Sequence, residues 1–510
     1  MLLAPVEQIS ASELENGLSH LVRDAVYAQV SGSLTAGVLL VGYGLALGAS
    51  NFIIGLLAAV PFLAQLAQVP TILLVERLRA RRRITVLCVS FSRLLLVPLA
   101  FLPFIESHET AQFLLIAGIG ISSALGAMAA CSWNSWMHDL VPEQRLGAFF
   151  ANRLFYATSF TMVIGFGAGF FIDWWGRFRP AQPASAYSLL FLLGAAAGAV
   201  STWYLTQVPE PRMAPAQRQI HLGRMLAEPF GDWNFRRLIW FLGAWQFATN
   251  LAAPFFTVYL VSQLGYDMTF VTLMMVTSQL ANVLTLRKWG ELADRFSNKA
   301  VLRLCAPVFL LSIFAWIPVS GSGNRTAMTV LLIVLHLVMG CAVAGVTLAA
   351  GNIGLKLAPR GRGTAYLAAG SLVNSLAAGI APIIGGLFAD DFAARELSLV
   401  LRWTSGPEAL EFITLRLRHW DFFFLLASVL GLYALHRLTL VQETGGGGDR
   451  SMMQEIIIEA RRTVASLSSV AGLRLLNVFP FGRIVQVAQA KRARPREDVR
   501  ERAWAGPPLR

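Results

Sequence analysis

Amide and hydroxyl side chains stand inside stretches of this chain that are otherwise strongly apolar. Gln29 and Gln246 lie 217 positions apart, and Ser33 and Asn250 repeat the same interval. An amide offers a donor and an acceptor together, so two amides at matched positions suit one polar group held from two sides. Titratable groups are scarcer. No Asp or Glu falls at the middle of an apolar stretch, which leaves His336 as the one such group that titrates near neutral pH and Asp24, nearer an edge, as the second choice for moving a proton. Other chemistry is missing altogether. There is no phosphate-cradling loop for ATP, no cluster of His and Cys at metal-ligand spacing, and no polar stretch large enough for a catalytic domain. The expectation is a protein that is not an enzyme and that uses no cofactor and no metal.

Elements able to position such residues follow from composition. Hydrophobic residues make up 55% of 510 positions and charged ones 14%, with a mean hydropathy of +0.58. Segments of ~20 apolar residues, enough to cross the ~30 Å hydrocarbon core, fall near 22–47, 51–75, 84–105, 112–136, 154–174 and 187–207, and again near 238–262, 268–287, 300–320, 327–350, 365–389 and 420–440. These define helices 1 to 12. The second six repeat the first. Leu47-Gly48 recurs as Leu264-Gly265, Glu76-Arg77 as Asp294-Arg295, Leu140, Pro142 and Arg145 as Leu357, Pro359 and Arg362, and Gly169 and Asp173 as Gly386 and Asp390. A duplicated half in so apolar a chain is the mark of a secondary transporter. The predicted fold is all-α and integral to the membrane, two pseudo-symmetric six-helix bundles. Its parts are an N-terminal segment 1–20, bundles 21–207 and 235–441, a linker 208–234, and a basic tail 442–510.

The net charge of +13 follows the membrane and not a nucleic acid. With both termini inside, the cytoplasmic loops carry 20 Arg and Lys residues against 7 in the outer loops, which supports that orientation in a bacterial inner membrane. Cys88, Cys131, Cys305 and Cys341 fall within spans and read as buried thiols. The first twenty residues carry no cleavable signal pattern, so helix 1 is expected to direct insertion. Beyond the flexible Gly445–Gly448, residues 454–474 have helical spacing and suit either a basic surface helix on the inner leaflet or a solvated tail.

Gly290, Asp294, Arg295 and Lys299, between helices 8 and 9, resemble the signature loop of the major facilitator superfamily, Gly-x-x-x-Asp-Arg-x-Gly-Arg-Lys, with Ser297 replacing its second Gly. The first-half loop keeps Glu76 and Arg77 but has Ile72 for the Gly. This resemblance implies a carrier in which Gly290 lets helices approach, and Asp294 and Glu76 latch the cytoplasmic side near the starts of helices 5 and 11. Arg145, Arg153 and Arg362 are the expected partners, Arg153 and Arg362 reaching across the halves. It also implies a cavity ringed by helices 1, 4, 7 and 10. Gln29, Ser33, Asn134, Gln246, Asn250 and His336 are then substrate-binding candidates, with Trp133, Trp136, Trp245 and Tyr259 as aromatic surface.

Several neighbouring residues read as structural. Asn282 and Asn374 are expected to stitch helices together. Gly165, Gly167, Gly169, Gly379, Pro382, Gly385 and Gly386 read as packing positions in helices 5 and 11. Arg93, nine residues into helix 3, either pairs with a carboxylate, binds an anion or, the preferred reading, snorkels to the inner surface. The function implied is secondary or facilitative transport of a small organic solute by a monomer in the bilayer. The rival is a carrier-shaped assembly or delivery factor that binds a pigment, lipid or partner protein.

Overall fold

The computed structural model describes residues 5–7, 9–142, 145–213, 222–317, 324–359, 363–405 and 408–443. The predicted tail helix at 454–474 and Arg362 lie outside them. Helix 1 spans Ala11–Ala46, helix 2 Asn51–Leu78, helix 3 Arg81–Phe104, helix 4 His108–Leu140, helix 5 Leu146–Phe178 and helix 6 Ser185–Thr206. Helices 7 to 12 span Trp233–Val258, Met268–Arg295, Asn298–Phe314, Arg325–Leu357, Gly363–Phe392 and Trp420–Thr439. Ten of the twelve are long and apolar enough to cross a membrane. Helix 9, at 17 residues, is shorter, and helix 7 carries Arg, Gln and Asn among its apolar residues.

Helix 1 begins eleven residues earlier than hydropathy predicts, because a capping box starts it. Ser10 Oγ accepts from the Glu13 amide at 3.3 Å while Glu13 Oε2 accepts from the Ser10 amide at 2.8 Å. Such a box satisfies two otherwise orphaned donors. The same helix breaks near its other end. Ala36 is extended and Gly37 has φ +58°, a left-handed conformation that Gly adopts without steric cost. At the matching position of helix 7 stands Pro254, within an unbroken helix.

Helices 1 and 7 start at what we term the terminal end of the molecule; its opposite is the distal end. In the first half helix 1 packs on helices 5 and 6, and helix 4 on helices 2 and 3. In the second, helix 7 packs on helices 11 and 12, and helix 10 on helices 8 and 9. Helix 2 meets helix 11 and helix 5 meets helix 8, the pairing that two pseudo-symmetric bundles require. Between helices 11 and 12 the distal side carries a feature the hydropathy pattern does not show. Strands β1 (Glu396–Ser405) and β2 (Glu408–Arg418) form an antiparallel hairpin, with an irregularity between Leu399 and Val400.

Candidate functional site

Among the described residues, two of the cavities at the contacts between the halves hold candidate residues. The larger, about 510 Å³, lies between helices 1, 5 and 8; Gln29, Ser33, Thr158, Thr161, Thr272 and Gln279 supply its polar lining, and Gly37 opens its wall at the helix break. A second, about 250 Å³, lies between helices 2, 7, 10 and 11 and is lined by Gln246, Tyr366, Ser371, Asn374 and Ser375. Gln29 and Gln246 therefore occupy equivalent cavities that share no lining residue, where the repeat alone suggests one site gripped from both sides. Ser33 Oγ donates to the Thr161 carbonyl at 3.4 Å. Asn250 turns back onto its own helix, its Nδ2 donating to the Gln246 carbonyl at 2.9 Å. Asn374, read from sequence as a helix stitch, lines the second cavity with its buried Oδ1 unpaired.

The expected aromatic surface lies elsewhere. Trp245 is buried against Phe309, ring centroids 5.6 Å apart. Tyr259 sits in a core with Trp316, Trp420 and Phe424. His336 belongs to the same core, edge-on to Trp316 at 5.6 Å, with Nδ1 2.8 Å from the Leu332 carbonyl. A carbonyl only accepts, so Nδ1 carries a hydrogen. Helix 4 extends to Leu140, which leaves Trp133, Asn134 and Trp136 in its last two turns and not at mid-depth. Trp136 is buried there, its Nε1 donating to the Pro209 carbonyl at 3.0 Å; Trp133 carries the Arg153 guanidinium 4.6 Å above its ring; and Asn134 is exposed.

Carboxylates from the repeated Gly-x-x-x-Asp pattern join the halves at the distal end. Asp173, late in helix 5, accepts from the Met268 amide at 3.0 Å, the Thr269 amide at 2.6 Å and the Thr269 hydroxyl, all on the first turn of helix 8. Asp390, late in helix 11, accepts from the Asn51 amide at 3.2 Å, Asn51 Nδ2 at 2.8 Å and the Phe52 amide at 3.0 Å, on the first turn of helix 2. Each thus satisfies orphan amides at the positive end of a helix from the other half. The glycines four residues earlier allow it. A Cβ at Gly386 would lie 2.5 Å from the Asn51 carbonyl oxygen, and one at Gly169 would overlap Thr272. The sequence repeat had contained this signal, but the pattern read only as helix packing.

At the terminal end the signature-loop residues do not form the expected contact between the halves among the described residues. Asp294 is exposed and has no hydrogen-bond or ionic partner among the described residues. Arg295 is exposed, its guanidinium 5.6 Å from the Phe296 ring. Gly290, expected to permit a close approach, has Leu348 Cδ1 as its nearest neighbour, 3.8 Å from a built Cβ. Ser297 serves as an N-cap for helix 9, accepting from the Ala300 amide at 3.0 Å. In the first half Glu76 has a buried, unpaired Oε2 and Arg77 is exposed. Arg145 pairs with Glu15. Arg153 points within its own half, its Nη2 3.6 Å from Asp24 Oδ2, while Asp24 Oδ1 accepts from Ser201 Oγ at 2.7 Å.

A further pair of carboxylates clasps each half internally. Glu210 accepts from the Arg81 and Arg82 amides at 2.7 and 3.1 Å, and Arg82 donates to the Thr206 carbonyl. Glu443 accepts from the Asn298 and Lys299 amides at 3.3 and 2.7 Å and from Lys356 Nζ at 3.0 Å, and Lys299 donates to the Thr439 carbonyl at 3.0 Å. Arg82 and Lys299 keep the 217 interval, but Glu210 and Glu443 are 233 apart because the second half carries the inserted hairpin. That offset hid the pair. Burial pushes the Glu210 carboxyl above its ordinary value despite its donors. Burial opposes ionisation of Glu443 too, yet the donors from Lys299, Lys356 and Asn298 hold it below.

Two six-helix bundles, joined through helices 2, 5, 8 and 11 around polar cavities, define a multi-pass membrane transporter and not an enzyme. The profile of the Major Facilitator Superfamily matches residues 25–382 and again 244–479, and the chain belongs to that family. Comparison with curated protein sequences finds no relative. Among solved structures, a mutant of the nucleoside transporter NupG superposes with a TM-score of 0.62 at 14% identity, over 84% of this chain and all of the other. A D-xylose–proton symporter gives 0.59 at 15% identity, over 86% and 98% of the two chains. A bacterial homologue of the iron transporter ferroportin, in an inward-facing state, gives 0.59 at 12% over 86% and 100%. These likenesses are of fold.

Proposed function

We propose that this protein carries a small polar organic solute across a bacterial inner membrane by alternating access, and that the conformation described is closed at its distal, extracytoplasmic end. The observation that carries the reading is the matched pair of latches, Asp173 with helix 8 and Asp390 with helix 2, opposed at the terminal end to an exposed Asp294 that has no partner among the described residues. Rocking of the bundles would break the first pair and engage the second. Solute binds beside Gln29 and Ser33, or beside Gln246 and Asn374, in cavities bounded by helices from both halves. Any proton coupling runs through Asp24, five residues from Gln29 of the larger cavity, since His336 is buried edge-on against Trp316.

A covalent tie across the latch tests this. In a cysteine-free background, Asn51→Cys and Asp390→Cys place two thiols where side chains now touch. Proteoliposomes holding that variant are assayed for uptake of a panel of nucleosides, pentoses and organic acids. Saturable, gradient-driven uptake is expected before cross-linking, with loss of at least tenfold after it and recovery on reduction. Uptake unchanged by the cross-link, or none from any panel member by the uncross-linked protein, would count against the carrier reading and favour an assembly role.

A further inference from the structure

Asp24, Arg93, Arg153 and Ser201 come from helices 1, 3, 5 and 6 and meet inside the first half. Asp24 is buried and held by Ser201 Oγ at 2.7 Å, with Arg153 Nη2 3.6 Å from its other oxygen. Arg93 is half-buried. It lies across helix 6, where a Cβ on Gly198 would overlap its side-chain carbons. The Nε atoms of both arginines are buried and unpaired. Asp24 is the carboxylate whose charge acts on both guanidinium groups, so two cations share one anion. An excess cation in a partly buried site is costly unless an anion completes it.

The second half shows what these positions do when packing alone decides them. The counterparts of Asp24, Arg93 and Arg153 are Phe241, Leu310 and Gly370, and that of Ser201, across the longer interval, is Ala434. Even the contact is repeated. Gly431, the counterpart of Gly198, is covered by Leu310 as Gly198 is covered by Arg93. Leucine therefore fills this hole, and the charge of Arg93 is not required for packing or for a rocking motion the halves share.

Arg153 keeps a quarter of its side chain exposed. It stands five residues, about 7.5 Å of helix rise, from Thr158 of the larger cavity, as Asp24 does from Gln29. We propose that Arg93 and Arg153 together receive a carboxylate or phosphate group of the transported solute, and that Asp24 holds the pair while the solute is absent. The planar forks of two guanidinium groups match either oxyanion. This assignment rests on the carrier reading and narrows the substrate to organic anions.

Thermal unfolding of the full-length purified protein, titrated with succinate and with inorganic phosphate at constant ionic strength, tests it. A ligand that binds only the folded state raises the melting temperature saturably. At least one of the two anions is expected to do so, with chloride as the control. Arg93→Leu copies the side chain found in the other half, so it should fold, and the shift should vanish. Asp24→Asn removes the internal competitor and should lower the half-saturating concentration several-fold. No saturable shift from either anion, or an equal shift in Arg93→Leu, overturns the proposal. An unchanged or higher half-saturation in Asp24→Asn does so as well and remains readable if Arg93→Leu is unstable. The cross-link across Asn51 and Asp390 reports rocking independently, so the ligand assignment can fail while the carrier reading stands.

Discussion

Asp173 and Asp390 each accept two backbone amides and a side-chain donor from the opposing half. Hydrogen bonds to a charged acceptor contribute roughly 1.5–3 kcal/mol each when buried, and less at exposed sites. Asp390 is exposed and Asp173 half-buried, so about 1 kcal/mol per latch is the reasonable scale. Replacing both, Asp173→Asn with Asp390→Asn, should shift the balance toward distal opening by about tenfold or more. A cysteine at cavity position Ser33, in a background without the native thiols, reports this through its labelling rate with an impermeant reagent added from outside. A rate no higher than in the parent would remove both residues from the gate.

Glycine spacing and inserted lengths act at the scale of elements. Helices 2 and 11 cross where Gly55 faces the Pro382 carbonyl and Gly386 faces Asn51, so backbone meets backbone without intervening side chains. Small residues permit that approach and let the surfaces part again. The internal clasps do the opposite, tying helix 12 to helices 9 and 10 through Glu443 and helix 6 to helix 3 through Glu210. Because Glu443 is held below the ordinary carboxylate value, its contribution is present above that ordinary value and is lost as pH falls through its lowered one. Glu443→Gln should reduce stability by about 1.5–3 kcal/mol at neutral pH and flatten the acid limb of the melting temperature. An acid limb identical to the parent's would show that the clasp titrates elsewhere.

For the whole molecule, the latches form two opposed sets. Asp173 and Asp390 are engaged and Asp294 is not, so removing Asp294 should deepen the state described here while removing the distal pair relieves it. Asp294→Asn is therefore expected to lower external labelling at the Ser33 position, opposite in sign to the distal variants, and by a few-fold. Labelling that moved in the same direction for both sets would mean that the halves do not rock about a shared pivot. The asymmetries between halves concentrate elsewhere, at Gly37 against Pro254 and at the Arg93 cluster against its apolar counterparts, and these are the places where specificity can differ from motion.

The primary sequence determined that the chain is an all-α membrane protein built in two copies, and which residues correspond, because hydropathy, interval and composition are local or additive properties. Tertiary structure alone decided which corresponding residues meet. Helix 10 is predominantly apolar, so its pattern does not distinguish a cavity face from the core in which His336 packs against Trp316. Asp24 looked peripheral only because hydropathy does not register the capped turn beginning at Ala11. Glu210 and Glu443 were separated by an insertion that alters counting and leaves geometry intact. Asp173 and Asp390 were visible as a repeat, but a carboxylate at a helix end becomes a latch only when another helix begins within hydrogen-bonding distance, and packing of the two halves sets that distance.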